Sequence, residues 1–178
     1  MKHFTIEQKF FFSESLRILF SFCIFFVLTI PLFYKIILLI ISDTFDCGFS
    51  KLFFKEWIDP NTEVYQISDK VCDTIGYTFL LTYLWSSMFL CKKYNSILTV
   101  MYFYRLIGTL LYIIFQQRQY LLYFPNFFLE SSLIFTGMKQ FSISKKYLPI
   151  FFALMIFWKL LQEYYLHIFK KSHPNAIL

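Results

Sequence analysis

Five apolar stretches, each long enough to cross a bilayer as a helix, constrain this chain more than any other feature. They run over 16–41, 71–91, 95–115, 120–138 and 147–169. About 20 consecutive apolar residues, rising 1.5 Å each, cover roughly 30 Å of hydrocarbon. The stretches are apolar all round, so a soluble domain would have to hide every one of them from water. The connections after residue 91 are short, which makes successive helices antiparallel neighbours. The sequence therefore predicts an all-α fold, a polytopic transmembrane helical bundle of about five spans forming a single membrane domain over 1–178.

Composition points the same way. The chain is 58% hydrophobic and 16% charged, against about 45–50% apolar and about 25% charged in soluble domains. Its 26 Phe and 13 Tyr against 4 Gly suit bulky lipid-facing surfaces and few close glycine crossings. A net charge of +6 raises the question of nucleic acid. The lysines, however, sit in pairs beside apolar stretches, as Lys92-Lys93, Lys145-Lys146 and Lys170-Lys171, where flanking positive charge belongs in a membrane protein. No basic face interleaved with aromatics forms outside the spans, so nucleic acid is not an expected partner. The lipid bilayer and other membrane proteins are.

The first stretch contains Pro31 and Lys35. It reads as one long, kinked, tilted helix with Lys35 snorkelling to the headgroups; a break at 31–35 into a re-entrant pair is the alternative. It is too long for a cleaved signal, and no small-residue cleavage site follows. Ahead of it, Thr5 and Gln8 fit a capping box for a short interfacial helix. The one long loop, 42–70, is rich in charge. Within it Phe49, Leu52, Phe53 and Trp57 recur at helical spacing up to Asp59-Pro60, which predicts an amphipathic surface helix anchored by Trp57. Lysine and arginine placement favours a cytoplasmic N-terminus, with this loop on the outer side. Cys47 and Cys72 flank the loop on that side, where a disulfide would staple it in an oxidising compartment.

Charges inside the apolar stretches carry the functional reading, because a charge at mid-bilayer costs roughly 2.5–3.5 kcal/mol on insertion scales. Arg105 and Glu130 lie equally far from the turn at 116–119. That symmetry predicts a structural ion pair between neighbouring helices at matched depth. Arg105, Thr109, Tyr112 and Gln116 share one helix face, and Asn126 and Glu130 share another. Such stripes should face each other as an intramembrane polar face, with Pro125 freeing a backbone carbonyl that joins it. Lys159, Glu163 and His167 follow at four-residue spacing. Lys159 belongs to the polar interior, and Lys159–Glu163 suits an intrahelical pair.

Asp73, Glu163 and His167 are the candidate catalytic residues, since a half-buried carboxyl beside an imidazole can move a proton. No HExxH, CxxC, GxSxG or glycine-rich phosphate loop supports them. No cofactor and no metal is expected, because three scattered ligands do not make a tight coordination motif. The leading expectation is a small multi-pass integral membrane protein that is a non-catalytic component, scaffolding partners through its helices and the loop. A carrier or binding protein for a lipid-like or small polar ligand, and an intramembrane acid–base enzyme acting on lipid, stand as alternatives.

Overall fold

The structure, a computed structural model, describes residues 6–44 and 62–164. These residues are helical, with no strand among them. They belong to two compact units, Met1–Ser87 and Met88–Leu178.

The first unit holds α1 (Ile6–Phe26), α2 (Leu32–Thr44) and α3 (Glu63–Ser86). The stretch 16–41 is thus not one kinked helix; it breaks over residues 27–31. Pro31 has no N–H to give, and its ring collides with the carbonyl four residues earlier, so the ladder stops before it. Lys35 closes the break. Its Nζ donates to the Phe25 carbonyl at 3.0 Å, an acceptor that a helix end leaves unpaired, and lies 4.2 Å from the centroid of the Tyr83 ring. Lys35 is 2% exposed, so the snorkelling expectation is corrected: the break supplies a partner nearer than any headgroup.

The chain then doubles back. Arg17 of α1 meets Asp43 of α2, while Lys35 of α2 meets Tyr83 of α3. A Cβ on Gly76 of α3 would lie 3.1 Å from Leu39 and 3.6 Å from Ser21. These contacts run α2 antiparallel to both α1 and α3, which lie side by side in one direction. The end of α2 and the beginning of α3 therefore lie toward the end of the unit where α1 begins. The surface helix anchored by Trp57, and Thr5 of the capping box, lie outside the described residues.

The second unit holds α4 (Lys92–Phe115), α5 (Gln119–Tyr123), α6 (Phe127–Gln140), a 3₁₀ turn (Lys145–Tyr147) and α7 (Leu148–Tyr164). The stretch 120–138 is also broken, around Pro125, and the Asn126 side chain caps α6 by accepting from the Leu129 N–H at 3.5 Å. On α4 a buried seam runs through Asn95, Leu98, Tyr102, Arg105, Thr109 and Tyr112 at alternating three- and four-residue steps. Tyr102 packs edge-on against Phe128, and Tyr94 stacks on Phe135 at 4.5 Å.

Among the described residues, α4 is the one helix long and apolar enough to cross a membrane. At 21 and 24 residues α1 and α3 have the length, but each carries several charges. At 13 and 14 residues, α2 and α6 reach only about 20 Å. The protein is helical with one candidate span; the described helices do not reproduce five.

Candidate functional site

Charges collect inside each unit. In the first, the organising residue is Arg17 of α1. Its position on α1 follows from the stripe Ser13, Glu14, Arg17, Ser21, Ile24 and Phe25, all buried at the spacing that turns one helix face inward. On α3, Asp69, Cys72, Asp73, Gly76 and Tyr77 take the same role.

The Arg17 guanidinium divides its donors among three helices. Nη1 donates to Asp69 at 2.7 Å and to Glu14 at 3.5 Å. Nη2 donates to Asp43 at 3.1 Å and to Asp73. Lys70 adds a second cation, 2.6 Å from Asp69 and 2.9 Å from Asp73. The Tyr77 hydroxyl donates to Asp43 at 3.2 Å. Carboxylate oxygens of Asp43, Asp69 and Asp73 lie within 4.8 Å of one another. The guanidinium contacts all three, so a cation of the protein's own already holds the acids together. Glu14 precedes the apolar stretch that opens at residue 16. Burial pushes its carboxyl above the usual 4.5, with Arg17 pulling it the other way.

In the second unit Arg105 is buried, as expected, but its partner is not Glu130. Nη1 donates to the Phe124 carbonyl at 2.8 Å and the Leu121 carbonyl at 3.4 Å. The break at Pro125 leaves those carbonyls without helical N–H partners, and Arg105 closes the end of α5. Glu130 sits 2.8 Å from Lys159 of α7 instead, and Lys159 also lies 3.3 Å from Gln162. The equal spacing about the 116–119 turn held only for an unbroken helix, and the break moves Glu130 out of register.

Thr109, Tyr112, Asn126 and Lys159 are buried as the polar face required. Gln116 is not part of it. It is the exposed C-cap of α4 in a left-handed conformation (φ 55°), and its side chain turns back to the Ile113 carbonyl. Asp73 takes its partners from its own unit, within the Arg17 cluster. The side chain of Glu163 and the whole of His167, which the sequence grouped with Asp73, lie outside the described residues. Cys72 is a buried free thiol, which corrects the expected disulfide; Cys47 lies outside the described residues.

One sequence signal pointed to the Arg17 cluster. Asp69 and Asp73 stand four residues apart at the start of α3, as do Ser13 and Arg17 on α1, a spacing that stacks each pair on one helix face. No known protein family, curated protein or solved structure matches the chain.

Proposed function

We propose that this chain is a small multi-pass integral membrane protein, a non-catalytic component that packs against lipid and partner helices. One observation carries the reading: charge is inside and bulk apolar surface is outside. Arg17, Lys35, Asp69, Asp73, Arg105 and Lys159 are buried, each bonded within its own unit. Phe22, Val100, Ile107, Ile114, Phe157 and Trp158 are exposed. In water, ionisable side chains are almost never fully buried unless paired, and wide apolar surfaces mark a partner or a membrane. In a bilayer, interior charges that pair with one another or with backbone carbonyls are the ordinary arrangement.

The α1–α2 reversal then becomes a helical hairpin, followed by α3, α4, the broken α5–α6 segment and α7. Buried carboxylates whose oxygens are already taken up by Arg17 and Lys70 support a bracing role over catalysis. Alkaline extraction of membranes from expressing cells tests the embedding: the protein should stay in the pellet, and release into the supernatant overturns it. For the non-catalytic part, Glu163→Gln and His167→Ala should still complement a deletion strain. Loss of complementation at normal membrane abundance overturns that part.

A further inference from the structure

The second unit sorts its cations to one end. Tyr94 stacks on Phe135 and Tyr102 packs against Phe128, so α4 and α6 run antiparallel. Phe135 also meets Phe152 at 5.4 Å, while Glu130 pairs with Lys159, so α7 runs antiparallel to α6. The start of α4, the end of α6 and the start of α7 therefore share one end of the unit. That end carries Lys92, Lys93, Lys139, Lys145 and Lys146, all exposed, and no Asp or Glu occurs in 88–100 or 137–150. At the other end of α4, residues 113–120 supply Arg118 as their one charge.

These lysines are set beside apolar surface. Phe141, Ile143 and Tyr147 are exposed among them, and Lys146 Nζ lies 4.9 Å from the Tyr147 ring centroid. Lys139 donates to the Phe89 carbonyl and lies 4.6 Å from the Phe89 ring centroid, which ties the end of α6 to the turn before α4. Lys92 opens the candidate span α4, and Lys146 stands about one helical turn before Ile150 and Phe151, where the exposed apolar face of α7 begins. Like charges gathered without a carboxylate build a positive potential that attracts anions. Cations and aromatic rings at the edge of a lipid-facing surface lie at headgroup level. A phospholipid supplies both the anion and the hydrocarbon that such an edge needs.

We propose that this end of the second unit is a docking surface for anionic phospholipid headgroups. Lys92, Lys93, Lys145 and Lys146 meet the phosphates, and Phe141, Ile143 and Tyr147 sit at the interface between headgroup and acyl chain. The proposal rests on the bilayer embedding proposed above and adds which lipid gathers at which end.

Electron spin resonance of the full chain in phosphatidylcholine bilayers, with trace spin-labelled phosphatidylglycerol or phosphatidylcholine, tests this. Both labels should show a motionally restricted component at the protein surface. At low salt the phosphatidylglycerol label should associate about two- to fivefold more strongly than the phosphatidylcholine label, and high salt should shrink that preference. Replacing the four exposed lysines together, as Lys92→Gln, Lys93→Gln, Lys145→Gln and Lys146→Gln, should bring the two labels close to parity at unchanged helix content. If that variant does not fold, either lysine pair replaced alone should remove part of the preference. Equal association of the two labels with wild type at low salt overturns the proposal while leaving the embedding intact, and assigns the lysines to an acidic protein surface. A preference that survives all four replacements also overturns it. The absence of any restricted component with either label overturns the embedding itself, and the proposal with it.

Discussion

Arg105 Nη1 lies 2.8 Å from the carbonyl oxygen of Phe124, so this intramembrane candidate charge serves backbone that Pro125 released, not a carboxylate. Replacing it should therefore leave acceptors unpaired. Arg105→Met should cost about 1–3 kcal/mol, the penalty for a buried polar group left without its bond. Glu130→Gln should add to that loss without rescue, with a coupling under about 0.5 kcal/mol in a double-mutant cycle. Unfolding in detergent measures it. Restoration of stability in the double variant would instead indicate a direct Arg105–Glu130 pair.

Lys159 and Glu130 should behave in the opposite way. Glu130 Oε1 is 2.8 Å from Lys159 Nζ, while Oε2 is buried without a partner. Lys159→Met should destabilise by about 1–3 kcal/mol, since it leaves the acid uncompensated. Adding Glu130→Gln should recover part of that, a coupling of about 0.5–3 kcal/mol. Strict additivity would show that the two do not interact.

Gly108 holds α4 against the α5–α6 break. A Cβ there would stand 2.2 Å from Phe124 Cβ, closer than two carbons can approach. Gly108→Ala should cost about 1–3 kcal/mol through displacement of the break. Because the clash is with Cβ, Phe124→Ala should not relieve it, whereas Phe124→Gly should do so in part. Equal rescue by both replacements would contradict the contact.

Much of the second unit was legible in the sequence, and much of the first was not. The buried seam through Arg105, Thr109 and Tyr112, and the inward Lys159, follow from helical spacing, which a helix obeys whatever it packs against. The Pro125 effect was also visible, down to the freed carbonyl. What failed was pairing. Depth matching of Arg105 with Glu130 assumed a continuous rise of 1.5 Å per residue, and a three-residue break removes that register. Pro31 failed in the same manner. A proline bends or ends a helix depending on whether another group takes over the lost bonding, and Lys35 capping Phe25 is a tertiary event. Arg17 was missed because its partners lie 26, 52 and 56 residues away; local spacing sets each group on one helix face but does not pair the faces.

Glu14 gives a pH dependence whose sign is fixed. Its carboxyl is raised above 4.5 in the folded chain, burial being the larger cause and Arg17 the opposing one. A raised folded value means that this group's stabilising contribution is complete below about 4.5. It is lost as pH climbs through the folded value. Glu14→Gln removes the titration, so stability should fall less than in wild type between about pH 4.5 and neutrality. Unfolding midpoints across that range measure it, and an equal or steeper fall in Glu14→Gln would contradict the account.

On the proposed function, the exposed apolar side chains of α4 face hydrocarbon while its buried polar seam faces protein. Spin labels on single cysteines at Val100, Ile107 and Ile114, which are exposed, and at Thr109, which is buried, test it directly in bilayers. The exposed positions should collide freely with dissolved oxygen and hardly at all with a water-soluble nickel chelate, and Thr109 should be shielded from both. Ready collision of the Val100, Ile107 and Ile114 labels with the nickel chelate would show that this face of α4 meets water and not hydrocarbon.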